Sequence, residues 1–223
     1  LAVAWSRASR GAGRHGAFLV LVGGGALAWS LGQAYWTVSE IAWSQLAPFP
    51  SPADIGYLLA YPLLAAALFV APSSQLHRRS SLRRVLDWSV VATASVFISW
   101  AVALGPLFRA AGSGGTSALT YPVLDLLLLT MTVALLSRSG REWRAPLSLA
   151  AVGFVALAWA DLGFAFLQAD GSYVTGSLAD LGWIVGWLLV ATAASSAPVV
   201  ELATSRQASL ESPSRASSLV PAV

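Results

Sequence analysis

Apolar residues along this chain gather into six blocks separated by short polar breaks, and no block alternates with polar residues as a half-buried strand would. A helix needs about 20 mostly apolar residues to cross the hydrocarbon core of a bilayer. Residues 16–39 hold no Asp, Glu, Lys or Arg and predict a first helix over 17–36. The others are predicted over 55–71, 86–108, 119–136, 146–167 and 178–197, the fourth and fifth interrupted by Asp125 and Asp161. The pattern therefore predicts an all-α membrane protein, a bundle of six transmembrane helices built from helical hairpins (17–197). A basic arm (1–16) precedes it, and a Ser-, Ala- and Pro-rich linker or disordered tail (198–223) follows.

Composition strengthens this reading. Hydrophobic residues make up 57% of the chain and charged ones 10%, with mean hydropathy +0.69, against about 25% charged in a soluble domain. A chain of 223 residues cannot hide that much apolar surface from water. All thirteen basic residues are arginines. Threaded through six spans, Arg7, Arg10 and Arg14, then Arg78, Arg79, Arg83 and Arg84, then Arg138, Arg141 and Arg144, and finally Arg206 and Arg215 all fall on one side. Only Arg109 falls on the other. Short loops rich in Lys/Arg stay in the cytoplasm, so both termini are expected inside. Removing one span would scatter the arginines across both faces. The pI near 9.8 then reflects topology signals and attraction to anionic lipid rather than nucleic acid; the lipid bilayer is the expected partner. A signal peptide is the competing reading of the N-terminus, but the first apolar run is too long for one and no small-residue cleavage site follows it.

Absences narrow the chemistry. Without Cys there is no disulfide or thiolate metal site, and without Lys no retinal-type Schiff base. His15 and His77 lie outside the apolar runs, so no helix offers histidine to a haem. No metal, no cofactor and no enzymatic activity are expected of these residues. The chain opens at Leu1 rather than Met, and its last residues turn apolar again, so it reads as a fragment.

Two segments repeat. Ser51-Pro52-Ala53-Asp54-Ile55-Gly56-Tyr57 opens the second helix and Ser177-Leu178-Ala179-Asp180-Leu181-Gly182-Trp183 the sixth; the match at an offset of 126 continues through Ala60/Gly186, Tyr61/Trp187 and Leu63/Leu189. Leu27-Ala28-Trp29 and Leu157-Ala158-Trp159 echo each other in the preceding helices, so hairpins 1–2 and 5–6 read as copies. Hairpin 3–4 is a weaker match. Both Ser-x-x-Asp segments have capping-box spacing, the serine taking an orphan N–H and the acid sitting at the positive helix end. Gly56-x-x-x-Ala60 and Gly182-x-x-x-Gly186 let backbones approach closely, either within the chain or across a homodimer. Gly23-Gly24-Gly25 lacks the context of a phosphate loop and reads as close packing or a flexible point. Trp36, Trp43, Tyr57, Trp143 and Trp183 fall near the expected interfaces, as an aromatic belt requires.

Asp125 and Asp161 sit about six residues from the outer ends of their helices, roughly 9 Å at 1.5 Å per residue. Pro122 in the first turn would make Asp125 a first-turn acid favoured by the helix dipole. Asp161, near the end of an outward-running helix, has no such help, and an unpaired Asp at mid-membrane costs about 2.5–3.5 kcal/mol. It needs a partner, a proton or water, and Arg109 is the expected partner. With Gln33, Tyr57, Tyr61, Asp54 and Asp180 these residues outline an acid-rich cup open to the outside. A structural hydrogen-bond and ion-pair network is one reading of the cup, and a ligand or cation pocket is the other. A catalytic carboxylate pair would lack the GxGD motif of intramembrane proteases. Asp87, three and four residues after Arg84 and Arg83, is expected to pair with them locally.

The stretch Pro48-Phe49-Pro50-Ser51-Pro52-Ala53-Asp54-Ile55-Gly56-Tyr57-Leu58, with Tyr61-Pro62-Leu63, resembles a segment of the multi-pass N-terminal regions of actinobacterial signalling proteins. So do Tyr121-Pro122-Val123-Leu124-Asp125-Leu126-Leu127 and Gly176-Ser177-Leu178-Ala179-Asp180-Leu181-Gly182-Trp183. The likeness covers roughly residues 20–195. In that family such regions precede cytoplasmic GGDEF and EAL domains, which make and degrade cyclic di-GMP; related membrane regions precede histidine kinases. The resemblance implies a sensory input module that relays a signal to an output domain. No GGDEF or EAL motif occurs here, so no catalytic residue transfers, and the resemblance carries no ligand. A small multi-pass transporter or channel-like protein with an outward-facing acidic pocket is the alternative, and a structural membrane anchor a third reading.

Overall fold

The computed structural model of the chain describes residues 13–43, 51–71, 81–110 and 119–198. The arm with Arg7 and Arg10, the loop arginines Arg78 and Arg79, and the tail with Arg206 and Arg215 lie outside the described residues. So do the side chains of Arg14, Trp43, Arg83, Arg84 and Asp87.

All regular structure among the described residues is helical. Helix α1 is Arg14–Trp43, α2 Pro52–Val70, α3 Ser81–Ser99, α4 Thr120–Leu136, α5 Arg141–Ala169 and α6 Asp180–Ser196. Helix α3 continues through a π-helical segment, Trp100–Leu104, into a last stretch, Gly105–Ala110. Helices α1, α2 and α5 are long and apolar enough to cross a membrane, and α4 and α6 are shorter apolar helices. Large apolar side chains also point out of the bundle: Leu31, Ile55, Phe97, Val152 and Leu188 are each more than half exposed. Apolar surface this extensive would drive association in water, whereas lipid solvates it. The chain is a membrane protein.

Helices α1, α2, α5 and α3 with its extension outrun their predicted spans, whereas α4 and α6 fall slightly inside theirs. Hydropathy marks only the part suited to hydrocarbon, whereas backbone hydrogen bonding carries a helix past it, so α1 reaches Trp43 and α5 starts at Arg141. His15, expected outside the first helix, is buried in its first turn. Helix α2 starts at Pro52 rather than residue 55 because Ser51 caps it. Ser51 Oγ accepts from Ala53 N at 3.2 Å, Asp54 reaches back to Ser51 N, and Pro52 at the first position needs no N–H partner.

The second expected capping box does not form. The cap position of α6 is Ala179, already helical and with no side-chain bond to the helix. Asp180 instead accepts from Gly176 N and from the Ser177 hydroxyl at 3.3 Å. The chain enters α6 through a turn, with Gly176 at φ +89°, not in the extended conformation that holds Ser51 (φ −130°, ψ 168°) at the mouth of α2.

Helix α1 packs along α2 and α5 along α6; α4 touches both α2 and α5, and α3 lies against α4. The two hairpins share a mode of contact. A Cβ added to Gly56 would lie 2.5 Å from the Ala28 carbonyl oxygen and 2.8 Å from Gly32 N. One added to Gly182 would lie 2.7 Å from the Ala156 oxygen and 2.8 Å from Ala160 Cβ. Gly25 meets Ala60, and Gly153 meets Gly186, in the same way. Backbone touches backbone in both hairpins, as small residues permit. Gly56, Ala60, Gly182 and Gly186 are thus occupied within the chain.

These contacts also fix the register of the repeat. The second helices match at an offset of 126, but Gly25/Gly153, Ala28/Ala156 and Gly32/Ala160 match at 128. The echo of Leu27-Ala28-Trp29 in Leu157-Ala158-Trp159 lies two residues out of step with this and is not a structural equivalence.

The apolar core fills the half of the bundle nearer the α4–α5 turn, with Phe18, Leu68, Leu135, Leu147 and Phe154 packed together. Trp143 belongs to this core, set edge-on against Phe18 at 5.9 Å, and does not face lipid as an aromatic belt would.

Candidate functional site

At the opposite end of the bundle the helices part around a cavity of about 410 Å³. Helix α1 contributes Trp29, Gln33 and Trp36; α2 contributes Asp54, Tyr57, Ala60, Tyr61 and Leu64; α4 contributes Tyr121, Asp125 and Leu128. Helix α5 adds Leu157, Asp161 and Phe164, the α5–α6 connection Tyr173 and Thr175, and α6 Asp180, Trp183, Ile184 and Trp187. Leu64, Leu128 and Leu157 belong also to the packed core and close the cavity on that side.

Seven of the eight polar residues singled out in the sequence, Gln33, Asp54, Tyr57, Tyr61, Asp125, Asp161 and Asp180, line this one cavity. Arg109 does not. It sits in the last stretch after α3, exposed, and the cavity wall includes none of the described side chains of α3 or its extension. The expected Arg109–Asp161 pair is therefore absent: the stretch that carries Arg109 touches α5, but the Arg109 side chain is exposed and takes no part in the wall.

Neutral donors take the place of the arginine. Trp183 Nε1 donates to Asp161 Oδ1 at 2.6 Å, and the Tyr61 hydroxyl lies 3.1 Å from Asp161 Oδ2 and 2.9 Å from Asp125 Oδ1. One phenol thus joins acids from two other helices. Tyr121 donates to Asp54 Oδ1, and Tyr57 to Gln33 Oε1 at 3.0 Å. Tyr173 donates to Asp180 Oδ1 at 3.1 Å; burial, then the Asp180 carboxylate, pushes the Tyr173 phenol above its ordinary range.

Asp125 is completely buried. Helix α4 begins at Thr120, so Asp125 stands in its second turn and not among the first-turn acids that the dipole favours most. Among the described residues its Oδ2 meets no donor, and the buried Nε1 of Trp187, another lining residue, meets no acceptor. A buried polar atom left without a partner costs about 1–3 kcal/mol. Among the described residues no Arg, Lys or His lines the cavity, although four aspartates do.

Aromatic rings make up much of the remaining wall. Trp29 lies 5.5 Å from Trp187 and 5.9 Å from Tyr57, ring centre to ring centre, and Tyr121 lies 6.3 Å from Tyr57 and 6.2 Å from Tyr61. Phe164 sits 4.7 Å from Tyr173 and 5.8 Å from Trp183. Trp36, Tyr57 and Trp183, expected in an interfacial belt, thus line the cavity. Among the described residues no group of three His, Cys, Asp or Glu side chains is arranged to hold a metal ion.

Sequence reasoning missed Tyr121, Tyr173 and Trp29 as members of the site. Tyr121 carried a usable signal, four residues before Asp125 and so on the same helix face. Trp183 and Trp187 were signalled by the repeat, as counterparts of Tyr57 and Tyr61. Tyr173 and Thr175 sit in a connection, where no periodicity reports direction. No protein-family model, curated protein or solved structure matches this chain.

Proposed function

We propose that this chain is the sensory input module of a signalling protein in a bacterial inner membrane. It crosses the bilayer six times with both termini in the cytoplasm. A ligand entering the cavity from outside shifts the hairpins against each other, and the displacement passes beyond residue 198 to an output domain of the diguanylate cyclase or phosphodiesterase type.

The observation that carries the proposal is the origin of the cavity walls. They come from both copies of the repeated hairpin and from α4 between them. An occupant touches all of these elements at once, and only an occupant with different contacts in two packings can bias one over the other. The orientation is supported by Arg138, Arg141 and Arg144, clustered at the end of the bundle away from the cavity. The kind of output rests on the likeness of the Ser51–Leu58 and Ser177–Trp183 segments to actinobacterial input regions.

Transport is the weaker reading, because the bundle below Leu64, Leu128 and Leu157 is filled by apolar side chains rather than opened into a path. Reading the gene past Val223 tests the proposal. An in-frame cyclase, phosphodiesterase or histidine kinase domain is expected; a stop codon directly after Val223 would contradict it.

A further inference from the structure

We propose that the cavity receives a small organic ammonium ion that keeps an N–H bond and carries an apolar or aromatic body. The inference rests on reading the cavity as a ligand site, and three separate observations lead to it.

The first is an unanswered acceptor. Asp125 is 0% exposed and lines the cavity, and its Oδ2 has no donor among the described residues. A ligand N–H supplies the donor, and a positive one supplies the counter-charge that a carboxylate in apolar surroundings requires. Trp187 Nε1, buried without an acceptor, offers a second anchor for an oxygen on the ligand.

The second is an acid that the hairpin bond does not require. In the first hairpin Tyr57 donates to Gln33; at the matching place in the second, Trp183 donates to Asp161. Gln33 and Asp161 correspond by the same offset of 128 as the small-residue contacts beneath them. A neutral amide therefore satisfies the hairpin bond. The carboxyl at Asp161 adds an acid that the hairpin bond does not require, and it meets Asp125 both directly and through Tyr61.

The third is the wall itself. Aromatic faces attract a cation within about 6 Å, and the rings of Trp29, Tyr57, Tyr61, Tyr121 and Trp187 form a connected series along it. A bare metal ion is the wrong occupant, since no three acids among the described residues converge on one point. An anion would face four aspartates and, among the described residues, no base. The volume, about 410 Å³, falls within the roughly 300–1,000 Å³ of small-molecule sites.

The test uses the whole chain in lipid nanodiscs, titrated with alkyl and aryl ammonium ions headed by 2-phenylethylammonium. Neutral 2-phenylethanol and anionic phenylacetate serve as matched controls, and tryptophan fluorescence and thermal unfolding are the readouts. A saturable response to the ammonium is expected, weaker for the alcohol by about tenfold or more, the loss of one hydrogen bond to a charged group, and absent for phenylacetate. Asp125→Asn and Asp161→Gln should each weaken ammonium binding by about as much. Asp161→Gln copies the amide of the first hairpin, so it keeps the test open where Asp125→Asn fails to fold. Equal affinity for ammonium and alcohol, no saturable response to any ammonium, or binding indifferent to Asp161→Gln overturns the proposal. The cavity-filling variant Gln33→Phe separates this failure from that of the site. If the alcohol or phenylacetate binds instead and Gln33→Phe abolishes it, the site stands and its charge class is wrong. If Gln33→Phe leaves all probe binding unchanged, the cavity is not the site.

Discussion

The same chemical change, glycine to alanine, should have opposite effects at two places in the first hairpin. At Gly56 the added methyl would sit 2.5 Å from the Ala28 carbonyl oxygen and 2.8 Å from Gly32 N, where ordinary contact begins at 3.4 Å. The shortfall of 0.9 Å, 3.4 less 2.5, is against backbone, which cannot rotate aside. The helices must part, at the upper end of the about 1–3 kcal/mol that overpacking costs. Higher helix propensity returns up to about 1 kcal/mol, leaving a net loss of about 2 kcal/mol. At Gly24 the nearest heavy atom is Leu63 Cδ1 at 3.7 Å, an ordinary contact. Gly24→Ala therefore keeps the propensity gain, up to about 1 kcal/mol, and loses nothing. Unfolding of the purified chain in detergent, followed by circular dichroism through a denaturant series, measures both. Gly56→Ala should be the less stable variant by about 3 kcal/mol, and Gly182→Ala, its counterpart in the second hairpin, should behave like it. If Gly56→Ala proves as stable as Gly24→Ala, the two backbones do not meet as described.

Other substitutions test the polar network and the caps. Tyr61→Phe removes the donor that joins Asp125 to Asp161 and should cost about 1–3 kcal/mol, because it orphans a buried carboxyl oxygen. Tyr57→Phe breaks one neutral bond to the half-buried Gln33 and should cost about 1 kcal/mol or less. The reverse order in thermal unfolding would count against the network. Ser51→Ala should lose about 1 kcal/mol with the capping box. Ser177→Ala, whose hydroxyl makes a single 3.3 Å bond to Asp180, should stay within about 0.5 kcal/mol of the parent. Equal losses in a melting comparison would mean that both serines cap.

Much of the helical layout was legible in the hydrophobic pattern, because lipid forces long apolar runs and helices satisfy their own backbone. What the pattern could not give were the ends, set by local bonds such as that of Ser51, and the π-helical segment at Trp100–Leu104, which leaves no mark in hydropathy. The repeat was visible in the second helices through Gly56/Gly182 and Tyr57/Trp183. In the first helices the Leu-Ala-Trp echo misled by two residues. There the register is carried by the small residues Gly25, Ala28 and Gly32 against Gly153, Ala156 and Ala160. Depth along a helix sufficed to gather Gln33, Tyr57, Tyr61 and the four aspartates at one end. It could not say which way a side chain faces, and so it paired Asp161 with Arg109, which is exposed and outside the cavity wall although its stretch touches α5. That Tyr61 would bridge two acids is a meeting of three helices, and a linear pattern does not encode it.

Orientation is tested most directly by cysteine accessibility in this Cys-free chain. Thr175→Cys places a thiol at an exposed position on the cavity rim, and Gly140→Cys places one in the α4–α5 turn, where an added Cβ meets nothing within 4 Å. With a membrane-impermeant maleimide, Thr175→Cys should label in intact cells and Gly140→Cys only after the membrane is opened. Labelling of Gly140→Cys in intact cells, with Thr175→Cys protected, would put the acidic cavity on the cytoplasmic side and contradict an outward-facing site.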